Sequence, residues 1–96
     1  MLKLRYLTAA RKDLSGIGRW SQEKFGTAQA NAYIAKIDDA LRLIAENPGL
    51  ARDASETRTG PHKTFAGSHI AYFRMDERAI TVQRILHGSM DAGRWM

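Results

Sequence analysis

The chain has 96 residues, of which 44% are hydrophobic and 26% are charged. These values are typical of a folded globular protein and exclude a disordered chain, so we expect a single domain over residues 1–96. The absence of cysteine excludes disulfides, thiolate zinc sites and a cysteine nucleophile, and it favours the cytoplasm. The N-terminus is too charged for a signal peptide, and no segment approaches the ~20 apolar residues of a membrane span. We therefore expect a cytoplasmic protein with no membrane partner.

The charge balance is basic, with fifteen Lys and Arg against ten Asp and Glu and a formal net charge of +5. Ten of the fifteen cations are arginines. This excess favours an anionic partner, although net charge does not choose between nucleic acid, ribosome and an acidic protein. A basic surface without a partner is the alternative.

The first part of the chain predicts a strand and then a helix. Apolar residues alternate with Lys3 and Arg5 from Leu2 onwards, which is typical of a short strand, and Thr8 is a candidate N-cap for the helix after it. A helix from about Ala9 to Phe25 is expected because apolar and small residues recur at helical spacing. These residues are Ala10, Leu14, Ile17 and Ser21.

A second helix is predicted over Ala28–Glu46, where neither Pro nor Gly interrupts the helical period. Gly26 suits the left-handed position that closes the first helix, and Thr27 is a candidate cap for the second. Pro48 ends the second helix because proline cannot continue its hydrogen bonds.

Three short strands are predicted after this hairpin, and they form an antiparallel meander. Their bounds are Lys63–Ala66, His69–Met75 and Ala79–Leu86. In the last of them Ile80 and Val82 share one parity whereas Ile85 has the other, so a bulge or a two-sided central strand is expected. The predicted fold class is α+β, with a helical hairpin on one face of a single sheet and a short C-terminal tail.

The three histidines, His62, His69 and His87, fall on different predicted elements and form no metal-binding spacing, so we expect no metal and no cofactor. A basic cluster on the open face of the sheet is a second hypothesis. Its members would be Arg58, His62, Lys63, Arg74, Arg84 and His87. The alternative is structural: Arg74 and Arg84 pair with acids such as Glu56 or Asp76 and hold the sheet together.

Several short motifs, in order along nearly the whole chain, resemble the ParE branch of the RelE/ParE toxin superfamily. The first half contributes Asp13-Leu14, Phe25-Gly26 and the run from Ile44 to Gly49. The second half is more specific and contributes Gly67-Ser68-His69, Tyr72-Phe73-Arg74, and Arg84-Ile85-Leu86-His87 followed by Met90-Asp91. The resemblance implies a strand, a helical hairpin and a three-stranded meander, in agreement with the elements above.

The resemblance also implies a function and partners. ParE-like members poison DNA gyrase without catalysis and are neutralised by a ParD-like antitoxin, usually in a heterotetramer or higher complex that contacts operator DNA only through the antitoxin. The net charge of +5 predicts that this antitoxin is acidic. RelE-like members instead cleave ribosome-bound messenger RNA. If this chain were such a nuclease, Arg58, Arg74, Arg84 and His87 would be the catalytic candidates. The lack of a late tyrosine favours the gyrase poison, and an inactive or regulatory binding module is the third alternative.

Two contact surfaces follow from this interpretation. The target-binding surface is placed in the C-terminal segment, at His87, Met90, Asp91, Arg94 and Trp95, because adaptable and aromatic side chains there suit a protein contact. The antitoxin-binding surface is placed on the basic and apolar residues of the strand and hairpin. These are Arg5, Arg11, Arg19, Trp20, Tyr33 and Leu43.

Overall fold

The structure is a computed structural model that describes residues 1–51 and 60–89, excluding the side chains of residues 51, 60 and 61. Strand β1 leads directly into helices α1 and α2, a short 3₁₀ turn follows, and strands β2, β3 and β4 complete the fold. The bounds are Lys3–Tyr6 for β1, Thr8–Phe25 for α1, Thr27–Glu46 for α2, Pro48–Ala51 for the 3₁₀ turn, Gly60–Ala66 for β2, His69–Met75 for β3 and Ala79–His87 for β4.

The four strands form one sheet in the order β1-β4-β3-β2. Strands β2, β3 and β4 are an antiparallel meander, whereas β1 pairs in parallel with β4. A parallel pair needs a long crossover, which the helical hairpin supplies. The predicted α+β fold, with strand, helical hairpin and meander in one sheet, is confirmed.

The helix starts differ from the predictions by one residue each. Helix α1 already includes Thr8, and its cap position is Leu7, which makes no side-chain capping bond. Helix α2 already includes Thr27, and its cap position is Gly26. The predicted Thr caps are therefore wrong; the hydroxyl of Thr27 instead accepts a hydrogen bond from Gln22 Nε2 at 3.1 Å.

Gly26 is the only residue between the two helices, and its φ of 93° is the positive value that the sequence predicted. Its ψ of 167° is extended, however, so Gly26 does not occupy the left-handed helical region. Its N–H donates to the carbonyl of Gln22, and its own carbonyl accepts from Ala30. Because L residues rarely adopt this φ, glycine is what allows the hairpin to turn on one residue.

Two strand ends also differ from the predictions. Strand β2 begins at Gly60 and includes Pro61, which a sheet tolerates because β2 is an edge strand. Strand β4 extends to His87.

The predicted bulge lies in β4. Tyr72 pairs with Arg84 and Phe73 pairs with Val82, which leaves Gln83 as the extra residue. The bulge reverses the parity of β4 after Val82, so Ile80, Val82 and Ile85 all join the same buried cluster. An irregularity in the sequence pattern thus corresponds to a real backbone feature.

The core lies between the helices and one face of the sheet. Ile37 and Leu41 of α2 are fully buried against Phe73 of β3 and against Ile80 and Val82 of β4. On the same side, Tyr6 donates a hydrogen bond to Asp38 at 2.6 Å, and burial together with this carboxylate raises the Tyr6 pKa. No helix in the described ranges is long and apolar enough to cross a membrane.

Candidate functional site: a groove beside the last strand

Strand β4 is longer than its neighbour β1, and helix α1 takes the place that β1 leaves free. Strand β1 pairs with residues Ala79–Val82 only, whereas β4 continues to His87. Asp13 of α1 reaches this unpaired edge and accepts the backbone N–H of Ile85 at 2.9 Å. The carboxylate therefore satisfies a backbone donor that would otherwise lack a strand partner.

The Asp13 carboxylate also accepts two hydrogen bonds from the Arg84 side chain. Arg84 Nε donates to Asp13 Oδ2 at 2.8 Å and Arg84 Nη2 donates to Oδ1 at 3.0 Å. Both side chains are largely shielded, with exposed fractions of 23% for Arg84 and 15% for Asp13. This bidentate contact raises the Arg84 pKa and fixes the guanidinium against α1. The structural alternative, in which Arg84 pairs with an acid, is confirmed, but the acid is Asp13 and not Asp76. Glu56 lies outside the described residues.

A groove of about 470 Å³ runs between α1 and the adjoining ends of β3 and β4. Helix α1 supplies Lys12, Gly16, Ile17 and Trp20 to its wall, and the strands supply His69, His87 and the paired Arg84. The wall therefore combines an apolar floor with a basic rim. Such a combination suits a partner that presents apolar side chains flanked by acids.

Two glycines inside α1 have different surroundings. A Cβ on Gly18 would lie 3.7 Å from Ile34 of α2, which is ordinary contact, whereas a Cβ on Gly16 would meet nothing within 4 Å. Gly16 lines the groove. Glycine in a helix interior costs roughly 1 kcal/mol relative to alanine, and packing inside the chain does not account for that cost at Gly16.

An exposed aromatic pair stands at one end of the groove. Trp20 is 54% exposed and Phe25 is 58% exposed. Their rings meet edge to face, with centroids 5.9 Å apart. Large rings that remain this exposed on a folded protein are typical anchors for a protein partner.

A hydrogen-bonded chain lies beside the groove, where Tyr33 of α2 meets the β2–β3 turn. The hydroxyl of Tyr33 accepts the N–H of Ser68 at 2.9 Å and lies 2.6 Å from His69 Nδ1. The hydroxyl also donates to the carbonyl oxygen of Ala66 at 3.5 Å, and the His69 tautomer decides which atom donates across the 2.6 Å contact between Tyr33 and His69. Gly67, with φ of 60°, must be glycine here because a Cβ would lie 2.6 Å from the Tyr33 ring.

His69 in turn lies beside His87, with ring centroids 5.4 Å apart. Ser89 donates its backbone N–H to His87 Nδ1 at 3.2 Å. Burial, and secondarily the charge on His87, lower the His69 pKa. His69 therefore favours its neutral form, because burial disfavours the charged ring.

The residues predicted for a nuclease site do not meet. Arg74 pairs with Thr81, whereas His87 pairs with His69, five residues away along β3, which is about 17 Å of strand. They also face opposite sides, because His69 shares its parity with the core residues Ala71 and Phe73. Arg58 lies outside the described residues.

The predicted basic cluster is likewise divided between the two faces. Lys63 and Arg74 are exposed on the open face. His62 is buried on the helical side, where its ring stacks on Phe73 with centroids 5.5 Å apart. His87 belongs to the groove, and Arg84 is bound to Asp13. The hypothesis of one six-residue cluster on the open face is therefore wrong.

The residues predicted to contact an antitoxin do not form one surface either. Arg11, Arg19 and Trp20 are exposed on α1, but Tyr33 is half-buried and turned towards His69. Leu43 is 51% exposed but lies roughly 16 Å along the hairpin from the level of Trp20. Arg5 lies on the opposite, open face of the sheet, since its neighbours Leu4 and Tyr6 pack on the core.

Of the residues predicted to contact the target, His87 is exposed at the groove, and Met90, Asp91, Arg94 and Trp95 lie outside the described residues. Within residues 1–51 and 60–89, no group of three or more His, Cys, Asp or Glu side chains could hold a metal ion. The prediction missed the roles of Lys12, Asp13 and Gly16. Two glycines inside a predicted helix were the available signal for Gly16.

The fold has a counterpart among solved structures. It superposes on a chain from a chromosomal ParDE TA system of P. aeruginosa with a TM-score of 0.74 and 21% identity, covering 91% of this chain and 96% of that one. Such a match shows that the two chains share one α+β fold.

The sequence comparisons define the family. Residues 4–92 match the family model of the ParE toxin of type II toxin–antitoxin systems, parDE. The chain is 32% identical over 92 residues to Toxin ParE1 of Caulobacter vibrioides, covering 96% of this chain and 95% of that protein. It is 37% identical over 93 residues to Toxin ParE1 of Mycobacterium tuberculosis, covering 94% and 95%. The chain belongs to the ParE family of type II toxins.

Proposed function

We propose that this toxin acts by binding DNA gyrase and poisoning it, without catalysing a reaction itself. The observation that carries this proposal is the separation of the nuclease candidates, with Arg74 and His87 on opposite faces and about 17 Å apart along the strand. A general acid or base must come within about 3 Å of the proton that it transfers. Arg84, the third candidate, is held by Asp13. A binding function therefore suits the arrangement better than phosphodiester cleavage.

The gyrase contact is proposed to use His87 together with the C-terminal segment that follows it. His87 is exposed where β4 ends, so a segment that continues from this point can approach a target without disturbing the core. Because gyrase acts on the chromosome, the proposal also places the protein in the cytoplasm.

The groove is proposed to bind a ParD-like antitoxin. Its apolar floor at Ile17 and Trp20 fits one side of an amphipathic helix, and its rim at Lys12 and His87 fits acidic residues beside that side. The solved ParDE system with the same fold supports an antitoxin partner. The complex is proposed to be a heterotetramer or larger, with operator DNA bound through the antitoxin.

The proposed function is tested with two assays on the full chain. We expect the toxin to inhibit gyrase supercoiling or to trap cleaved DNA, and to leave ribosome-bound messenger RNA intact. His87→Ala should retain most of the gyrase inhibition, whereas losing a catalytic acid or base would cost about 10²–10⁴-fold in rate. Deletion of Arg94–Met96 should reduce gyrase inhibition while antitoxin binding persists. Cleavage of messenger RNA that His87→Ala abolishes in a folded protein would instead establish the endonuclease.

A further inference from the structure

The charges of this protein are divided between its layers. None of the four strands contains an Asp or Glu, yet they contain Lys3, Arg5, Lys63, Arg74 and Arg84. The acids of the described ranges lie on the two helices, except for Asp76 and Glu77 in the β3–β4 turn. The sheet is therefore cationic although the helices carry charges of both signs.

The strand register places these cations on the face that the helices leave uncovered. Arg5, Thr81 and Arg74 lie opposite one another across β1, β4 and β3. Lys63 of β2 lies opposite Tyr72, two residues from Arg74 on the same face. With strands about 4.8 Å apart, Arg5 and Arg74 are separated by roughly 10 Å. We call this surface, made of Lys3, Arg5, Lys63 and Arg74, the cationic face.

The side chains of the cationic face are available to a partner. All four are exposed. The ion pairs within residues 1–51 and 60–89 join Arg42 to Asp38 and Arg84 to Asp13, and none involves this face. The nearest turn acid, Asp76, accepts the N–H groups of Arg78 and Ala79. These bonds, and secondarily the charge of Arg5, lower the Asp76 pKa, so this carboxylate mainly serves the turn.

The chemistry of the cationic face fits a phosphate backbone better than a protein. Protein interfaces obtain most of their affinity from a central group of exposed apolar anchors. On this face Phe65 is 67% exposed towards one end, and the apolar residues in the same row across the sheet, Ile70 and Leu86, are buried. Phosphate contacts need no such anchors, because cations that release the counterions of DNA supply the affinity. The paired exposed rings, Trp20 and Phe25, lie on the helical side.

We propose that the cationic face binds the phosphate backbone of duplex DNA directly. This goes beyond the proposed function, in which operator DNA is reached through the antitoxin. Within a gyrase complex such a contact would hold the toxin on the DNA that the enzyme is cutting. Binding would be insensitive to base sequence, because phosphate contacts carry no sequence information.

The test measures DNA binding without gyrase, so its outcome is independent of the gyrase proposal. Full-length toxin is titrated against a fluorescent duplex of about 20 base pairs between about 50 and 200 mM salt. Four phosphate contacts predict a log–log salt slope of about −3.6 and a loss of affinity of about 100-fold over this range. The substitution set Arg5→Gln, Lys63→Gln and Arg74→Gln should reduce the slope to about −0.9.

A matched control distinguishes the effect of the cationic face on DNA binding from the effect of the net charge of the protein. Arg19→Gln, Lys24→Gln and Lys36→Gln remove the same three charges from exposed positions on the helices and should leave the slope close to that of the unchanged protein. Thermal unfolding verifies that both triple variants fold.

Three results would overturn the proposal: equal losses of affinity in the two triple variants, no binding of the duplex by the unchanged protein, or tighter binding of single-stranded RNA of the same length. Loss of binding to an acidic peptide in the face variant, with duplex binding retained, would assign the face to a protein partner and also reject the proposal.

Discussion

The two sides of this molecule are built differently. On the helical side, the groove is bordered by a network in which Asp13 binds Arg84 and Ile85, and Tyr33 binds Ser68 and His69. On the open side of the sheet, exposed cations such as Lys63 and Arg74 make no ion pair with any described residue. The side chains around the groove therefore contribute to the stability of the fold, whereas we expect substitutions on the cationic face to affect stability little.

The largest expected effect is on the groove side, from Asp13→Ala. This change removes the acceptor of Ile85 N–H and leaves the largely shielded Arg84 guanidinium without its carboxylate, so we expect a loss of about 3 kcal/mol in the free energy of unfolding. Urea denaturation measures it. Asp13→Asn, which keeps one oxygen for the Ile85 N–H, should lose less. If Asp13→Ala lowered the free energy of unfolding no more than Arg74→Ala on the open face does, the groove side would not be the more important side for stability.

Tyr33→Phe should have the next largest effect. It removes the hydroxyl that joins Ser68 to His69 but keeps the ring that packs beside Gly67. Leaving the Ser68 N–H and His69 Nδ1 without this partner should cost about 1–2 kcal/mol. Tyr72→Phe, a change to a half-buried tyrosine on the open side, is the matched control and should stay within about 0.5 kcal/mol of the unchanged protein.

Gly16→Ala should move stability and binding in opposite directions. Alanine in the helix interior should stabilise the fold by about 1 kcal/mol, while its methyl group occupies space at the groove and weakens antitoxin association. Gly18→Ala is the control: its Cβ meets Ile34 at an ordinary 3.7 Å, so it should stabilise the fold to a similar extent without affecting association. Calorimetric unfolding and antitoxin titration measure the two effects. Unchanged antitoxin affinity in Gly16→Ala would remove the groove from the interface.

The smallest expected effect is a dependence of stability on pH. Burial lowers the His69 pKa in the folded state, so the unfolded chain binds its proton first as the pH falls, and stability declines below the unfolded value of about 6.5. Unfolding midpoints between about pH 7.5 and 5.5 measure this decline. His69→Asn, which keeps an acceptor near Tyr33, should weaken the dependence. Greater stability at the acid end, lost in His69→Asn, would reverse the assigned sign.

Much of the fold could be predicted because it depends on short-range patterns. Helical spacing from Ala10 to Ser21 predicted α1, and the parity change after Val82 predicted a bulge that the structure places at Gln83. The helix caps were predicted wrongly because Thr8 and Thr27 have capping chemistry, but the chain turns at Leu7 and Gly26.

The site was less predictable because its members are distant in sequence. Asp13 meets Arg84 across 71 residues, and Tyr33 meets His69 across 36. No local pattern encodes either contact, since both depend on where α1 and α2 pack on the sheet. The predicted basic cluster failed for the same reason: alternation along each strand places His62 and Arg74 on opposite faces once the register is known.

By itself, the sequence determined the order of elements, the core-facing residues of the helices, the change of parity in the last strand and the family. Each of these follows from residue types within a few positions of one another, where backbone preferences and burial act directly. Only the tertiary structure decided that α1 replaces β1 beside the end of β4, that Arg84 is held by Asp13, and that Arg5 joins Arg74 on one face. Strand order and register determine these contacts, and they arise when the complete chain packs around one core.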